Sequence, residues 1–174
     1  KADVDTTRDG EYAATRAVAA ARTAAFDAKA NESLTLIARG SGAAFQEAWA
    51  ASSEAVTTQF ATLDANLVAT GLDEQLWADY VAAHEEIRAL DDSGDWDGAV
   101  DLATGTGAGT GNTTFAAFDE DSAQVLSDVA DRTASSLADT GGWLPIGGIL
   151  SVLVGLRAAG LSWWGVSQRL EEYR

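Results

Sequence analysis

The residues of this chain that could do chemistry are few and scattered. His84, the single histidine, lies in "VAAHEEIR" with Glu85 and Glu86 beside it. A metal site or a general base needs such groups to converge on one point. On a helix, neighbours one and two positions along point to other faces, and the residue at i+4 from His84 is Arg88, a cation. The expectation is a solvated or partly packed histidine, with no metal site. The chain has no cysteine, so it has no thiolate nucleophile, no disulfide and no sulfur-based metal centre. No Ser/His/Asp arrangement stands in a recognisable motif, and the expectation is no enzyme, no catalytic residue and no cofactor.

Two further features invite a binding reading. "GTGAGTG" at 105–111 has the spaced glycines of a phosphate cradle. That cradle requires Lys and then Ser or Thr after its last glycine, and a strand before it. Here Asn112 and Thr113 follow a helix-favouring segment, so 104–114 reads as a flexible surface loop. The arginines Arg16, Arg22, Arg39, Arg88 and Arg132 are the other candidates. An arginine held between helices can clamp a carboxylate with two parallel hydrogen bonds; on an open surface the same residue makes an ion pair worth little. Arg39, directly before helix-ending glycines, and Arg88 are taken as candidate ligand- or partner-binding residues, together with Arg157.

The elements that must position these residues are helical. Alanine dominates the 174 residues, and proline occurs once, which favours helix. From Asp3 to Arg39 runs one proline-free stretch whose apolar face reads Ala14, Val18, Ala21, Ala25 and Ala28, then Leu34 and Ile37. Small residues at this spacing suit close helix packing. "RGSG" at 39–42 ends it. Residues 43–69 carry Phe45, Trp49, Ser52, Val56, Phe60, Leu63 and Leu67 at steps of three or four, the helical stripe. Residues 73–90 repeat the pattern with Leu76, Tyr80, Ala83, Ile87 and Leu90. A short helix over 95–105 presents Trp96, Ala99, Val100 and Leu102, and a last one from Phe115 to Asp139 presents Phe118, Ser122, Val125, Val129, Thr133 and Ser136. Trp49, Trp77 and Trp96 read as core or junction aromatics. The expected fold is all-α: an antiparallel four-helix bundle with an extra short helix, over residues 1–140.

The segment from Trp143 to Val166 has a different character. Only Arg157 is charged in it, and Trp143 stands at one end with Trp163 and Trp164 at the other. At about 1.5 Å per residue it reaches about 36 Å, against about 30 Å of hydrocarbon. Arg157 is off-centre and can snorkel to the nearer interface, while Gly147, Gly148, Ser151, Gly155 and Gly160 suit packing between membrane helices. The reading is one transmembrane helix over 143–166 and a short tail over 167–174. Arg157, Arg169 and Arg174 place that tail in the cytoplasm and the acidic bundle outside the cell membrane.

Charge excludes one class of partner. With 11 Lys+Arg against 27 Asp+Glu and a formal net charge of −16, the surface repels nucleic acid. The absence of methionine and the start on Lys1 read as a piece of a longer product.

The segments "ANESLTLIARGSG" and "DDSGDWDGAVDLATG", and the last helix ending in "QRLEEYR", resemble an actinobacterial membrane protein family. That family couples an extracytoplasmic glutamine/glutamate-binding lipoprotein to the cytoplasmic Ser/Thr protein kinase G. The layout is also similar to the four-helix-bundle sensor domains of chemoreceptors and histidine kinases. The resemblance implies a membrane-anchored sensor or signal-coupling protein that relays amino-acid availability. Its expected partners are an extracytoplasmic solute-binding protein, other membrane helices, or a second copy of itself. The alternative is a structural accessory subunit of a larger membrane complex, with Arg157 meeting an acidic group on a neighbouring helix.

Overall fold

The structure, a computed structural model, describes the backbone of residues 2–65 and 70–138 and the side chains of 10–63 and 70–135. The proposed membrane span, the tail, Leu67 and the side chain of Ser136 lie outside the described residues. Among the described residues the elements are helices α1 (Ala2–Ile37), α2 (Ala43–Ala65), α3 (Glu74–Ser93), α4 (Trp96–Thr104) and α5 (Gly111–Ala138), with no strand. The all-α expectation holds. None of these helices is long and apolar enough to cross a membrane.

Local chemistry sets the boundaries. Arg39 and Gly40 take left-handed backbone angles, φ 42° and 84°, and stop α1 where the glycine-rich turn was expected. Asp73 caps α3 by accepting from the backbone N–H of Gln75 at 3.0 Å. Asp95 caps α4 in the same way, accepting from Gly98 at 3.0 Å. The glycine-rich loop is shorter than the sequence suggested, because α5 begins at Gly111 and not near Phe115. Thr110 Oγ1 donates to the Gly105 carbonyl at 2.7 Å, Thr113 Oγ1 to that of Gly107 at 2.7 Å, and Asn112 Nδ2 to that of Thr104 at 3.0 Å. Hydroxyls that read as loop-formers therefore stitch the turn closed.

Residues Lys1–Thr133 form one compact unit. Its main core joins Ala21, Ala25 and Ala28 of α1, Trp49, Val56 and Phe60 of α2, Trp77 and Tyr80 of α3, and Phe115 and Phe118 of α5. A second cluster sets Ala14, Ala17 and Val18 against Leu63, Val125 and Val129. A third places α4 beneath the end of α1, through Leu36, Ile87, Ala99 and Ala103. The small side chains of α1 let the bulky aromatics of the other helices fill the interior. Arg22, one of the arginines singled out above, is a tie between helices: it donates to the Asp119 carbonyl and to Ser122 Oγ, each at 2.6 Å, and to Asp119 Oδ1 at 2.7 Å.

The α1 face departs from the expected one at its end. Leu34 is 40% exposed and Ile37 72%; the buried positions after Ala28 are Glu32, Thr35 and Leu36. Steps of four and then three from Ala28 keep a residue on the packed face, and they land on Glu32 and Thr35.

The turn after α1 also fixes a glycine. A Cβ on Gly42 would stand 2.8 Å from the carbonyl oxygen and 2.9 Å from the Cα of Thr35. Gly42→Ala is expected to destabilise the protein by about 1–3 kcal/mol, the cost of forcing packed backbone apart. Denaturant unfolding followed by circular dichroism measures it.

Candidate functional site

Three polar residues occupy stripe positions on three helices and meet inside the unit. Glu32 follows Ala28 by one turn on α1, His84 follows Tyr80 by one turn on α3, and Gln46 precedes Trp49 by one turn on α2. Glu32 and His84 are each 1% exposed. His84 is therefore neither solvated nor partly packed, as its sequence neighbourhood suggested, but buried with both ring nitrogens engaged. Its Nδ1 lies 2.8 Å from Glu32 Oε2 and its Nε2 lies 3.2 Å from Gln46 Oε1. The ring stacks on the Trp49 indole with centroids 3.6 Å apart and planes 8° from parallel.

The carboxylate of Glu32 is the hub. Lys29 Nζ donates to its Oε1 at 2.6 Å, and the Tyr80 hydroxyl donates to its Oε2 at 3.2 Å. Trp49 Nε1 donates in turn to the Tyr80 oxygen at 3.4 Å. Burial pushes the Glu32 carboxyl up, but the hydrogen bond to His84 and the charge and hydrogen bond of Lys29 together outweigh burial and hold it below the usual carboxylate range. Burial and the adjacent Glu32 charge push the Tyr80 phenol far above its ordinary value. Tyr80 is thus a fixed hydrogen-bond donor. A buried charge left without such partners costs several kcal/mol, so the network is satisfied or the fold suffers.

Above this network lies a cleft of about 460 Å³, lined by Thr35, Gly40, Gly42, Ala43, Gln46, Arg88, Asp91 and Asp92. Gln46 belongs to both: one end of its amide is held by His84, and its side chain forms part of the cleft wall. Arg88 lines the cleft, but its guanidinium is already forked between Asp91 and Asp92, each at 2.5 Å. A carboxylate ligand would have to compete with both. Arg39 stands outside this lining, with its guanidinium 3.8 Å from the centroid of the Trp96 ring. Trp96 is itself anchored by donating Nε1–H to the Leu36 carbonyl at 2.8 Å. Arg157 lies outside the described residues. Of the two described arginines, Arg88 lines the cleft and Arg39 does not, so they do not share one site.

Glu32 and Gln46 are the residues that sequence reasoning passed over. The signal was present: strict steps of three and four land on both. Preferring apolar residues at those steps hid it. Among the described residues, no group of three or more His, Asp or Glu side chains is placed to hold a metal ion. What the arrangement can do is hold a carboxylate charge in the interior, keep protons at defined atoms, and connect them through one amide to the cleft. Comparison of the chain with protein-family models, with curated proteins and with solved structures finds no match.

Proposed function

We propose that the four long helices form an antiparallel bundle outside the membrane, that residues 143–166 anchor it as a transmembrane helix, and that the protein is a sensor or signal-coupling subunit. In this reading it relays amino-acid availability, or the docking of a solute-binding protein, to the cytoplasmic side. The contacts of α1 with α5 run in opposite order along the two helices, Thr15 with Thr133, Arg22 with Asp119 and Phe26 with Phe115, which supports the antiparallel arrangement.

The observation that carries the sensing reading is the continuity from cleft to interior. Gln46, His84 and Glu32 belong to three different helices and are linked end to end. An occupant of the cleft that displaces Gln46 changes the hydrogen bonding of the buried His84–Glu32 pair, and so changes how α1, α2 and α3 are held together. A ligand shifts such an equilibrium only by its differential affinity for the two arrangements. A buried polar network supplies two arrangements that differ in energy more sharply than a purely apolar core does.

The anchor is tested by expressing residues 1–140 and 1–174 without detergent. The longer chain is expected in the membrane fraction and the shorter in solution; two equally soluble monomers would remove the anchor. Sensing is tested on the full chain in lipid nanodiscs, using the single His84 as a nuclear magnetic resonance probe. Glutamine, glutamate or a docked binding protein is expected to move its ring resonances saturably. No movement with any of the three removes the sensing reading.

A further inference from the structure

We infer that Gln46 is a protonation-coupled floor to the cleft: its side-chain amide turns over when His84 gains or loses a proton, so the cleft meets N–H donors in one state and a carbonyl acceptor in the other. This stands apart from the membrane and sensing proposals.

The argument begins at Nδ1. It faces Glu32 Oε2 at 2.8 Å, and an ionised carboxylate can only accept. Nδ1 therefore carries its hydrogen whether the ring is neutral or charged, and Nε2 is the nitrogen that changes. Nε2 faces the Gln46 amide at 3.2 Å. An N–H there requires the amide oxygen opposite, and a lone pair requires the amide NH2. The two ends of an amide have nearly the same shape, so turning it over needs no repacking. The ring cannot make the adjustment itself, because it is clamped on the Trp49 indole with planes 8° from parallel. Gln46 also lines the cleft, and the end of its amide that His84 does not hold is the end left to meet an occupant there.

The groups around His84 set the balance. From α1 come Glu32 and, on its other oxygen, Lys29. From α2 come Gln46 and the stacked Trp49. On its own helix, Tyr80 donates to the same Glu32 oxygen, and Arg88, one turn further on, is held by Asp91 and Asp92. From α4 the Ala103 carbonyl receives Lys29 Nζ at 3.4 Å, and from α5 Phe115 meets the Tyr80 ring edge-on. Glu32 is therefore already answered by Lys29, and the imidazolium gains most from the indole face and from an acceptor at Nε2. Gln46 supplies that acceptor in only one of its two orientations. With the ring charged, the cleft floor suits an acceptor such as a carboxylate or carbonyl; with the ring neutral, it suits a donor.

Histidine is the side chain whose ordinary titration falls between about pH 5 and 8. The test uses the full 15N-labelled chain in nanodiscs over that range. His84 is the single histidine, so its ring nitrogens are identified without ambiguity, and the Gln46 amide is assigned by its loss in Gln46→Met. The expected result is an Nδ1 that stays protonated throughout and an Nε2 that titrates. The Gln46 NH2 resonances should shift with the same midpoint. In Gln46→Glu, a permanent acceptor, the His84 midpoint should rise. Gln46 resonances that stay still while Nε2 titrates overturn the inference. So does an Nε2 that keeps one protonation state across the range, or a midpoint that Gln46→Glu leaves unchanged.

Discussion

Replacing Glu32 with alanine is expected to lower the unfolding free energy by about 3–5 kcal/mol, because the buried His84 ring and the buried Tyr80 hydroxyl are both left without their acceptor. His84 Nδ1 and the Tyr80 hydroxyl lose their acceptor at once, and Lys29 Nζ loses the nearer of its two. Lys29 can still reach solvent, since its side chain is 18% exposed, but His84 at 1% cannot. Glu32→Gln keeps the shape and one acceptor oxygen, and is expected to cost less, about 1–3 kcal/mol. Urea unfolding of the wild type and both variants orders them; a Glu32→Ala variant as stable as the wild type would mean that the network contributes nothing to the fold.

The same residue predicts a pH dependence with a definite sign. The folded-state pKa of Glu32 is depressed, so its contribution is fully present above the unfolded carboxyl value of about 4.3 and is lost as pH falls through the folded value. The wild type should therefore lose stability in acid faster than Glu32→Gln, and the two curves should converge below the folded value. Other carboxylates destabilise both proteins in acid, so the informative quantity is the difference between them. A difference that does not change from neutral pH into acid would show that Glu32 is not held in its ionised form by its neighbours.

The second large effect is expected at Phe118. This ring is 1% exposed and packs against Trp77, with centroids 5.2 Å apart, and Phe60, with centroids 6.4 Å apart. It joins α2, α3 and α5 in one contact set. Phe118→Ala removes the ring from a site already filled by large, rigid neighbours, which cannot collapse into the space. The expected loss is about 3–5 kcal/mol. Phe118→Leu, which restores most of the volume, should cost clearly less, because it forfeits the aromatic pairing and only part of the contact area. Equal losses in the two variants would place the energy in ring stacking and not in volume.

Much of this protein is set by local order along the chain. Steps of three or four brought Trp49, Val56, Phe60 and Leu63 to one face, and Tyr80, Ala83 and Ile87 to another; all of these are buried. The stops at Arg39–Gly42 and Asp91–Gly94 follow equally from local chemistry, since positive φ and side-chain caps act within a few residues. The start of α5 was less legible, because the hydroxyls of Thr110 and Thr113 can serve either a loop or a helix entrance.

The site was a different matter. Periodicity places Glu32 and His84 on packed faces, yet an ionisable residue is ordinarily excluded from such a face. Whether it is tolerated depends on which opposite charge or hydrogen-bond partner the other helices deliver, at separations of 52 residues for His84 and Glu32 and 38 for His84 and Gln46. No local pattern encodes that. Arg88 is the contrasting case: Asp91 and Asp92 lie three and four residues along its own helix, so local order encodes that pairing, whereas Arg39 meets the Trp96 ring only across the fold. The sequence by itself determined the helices and most of their buried faces, because those depend on neighbours along the chain. Only the tertiary structure decided where a buried charge could be satisfied, because that depends on neighbours across it.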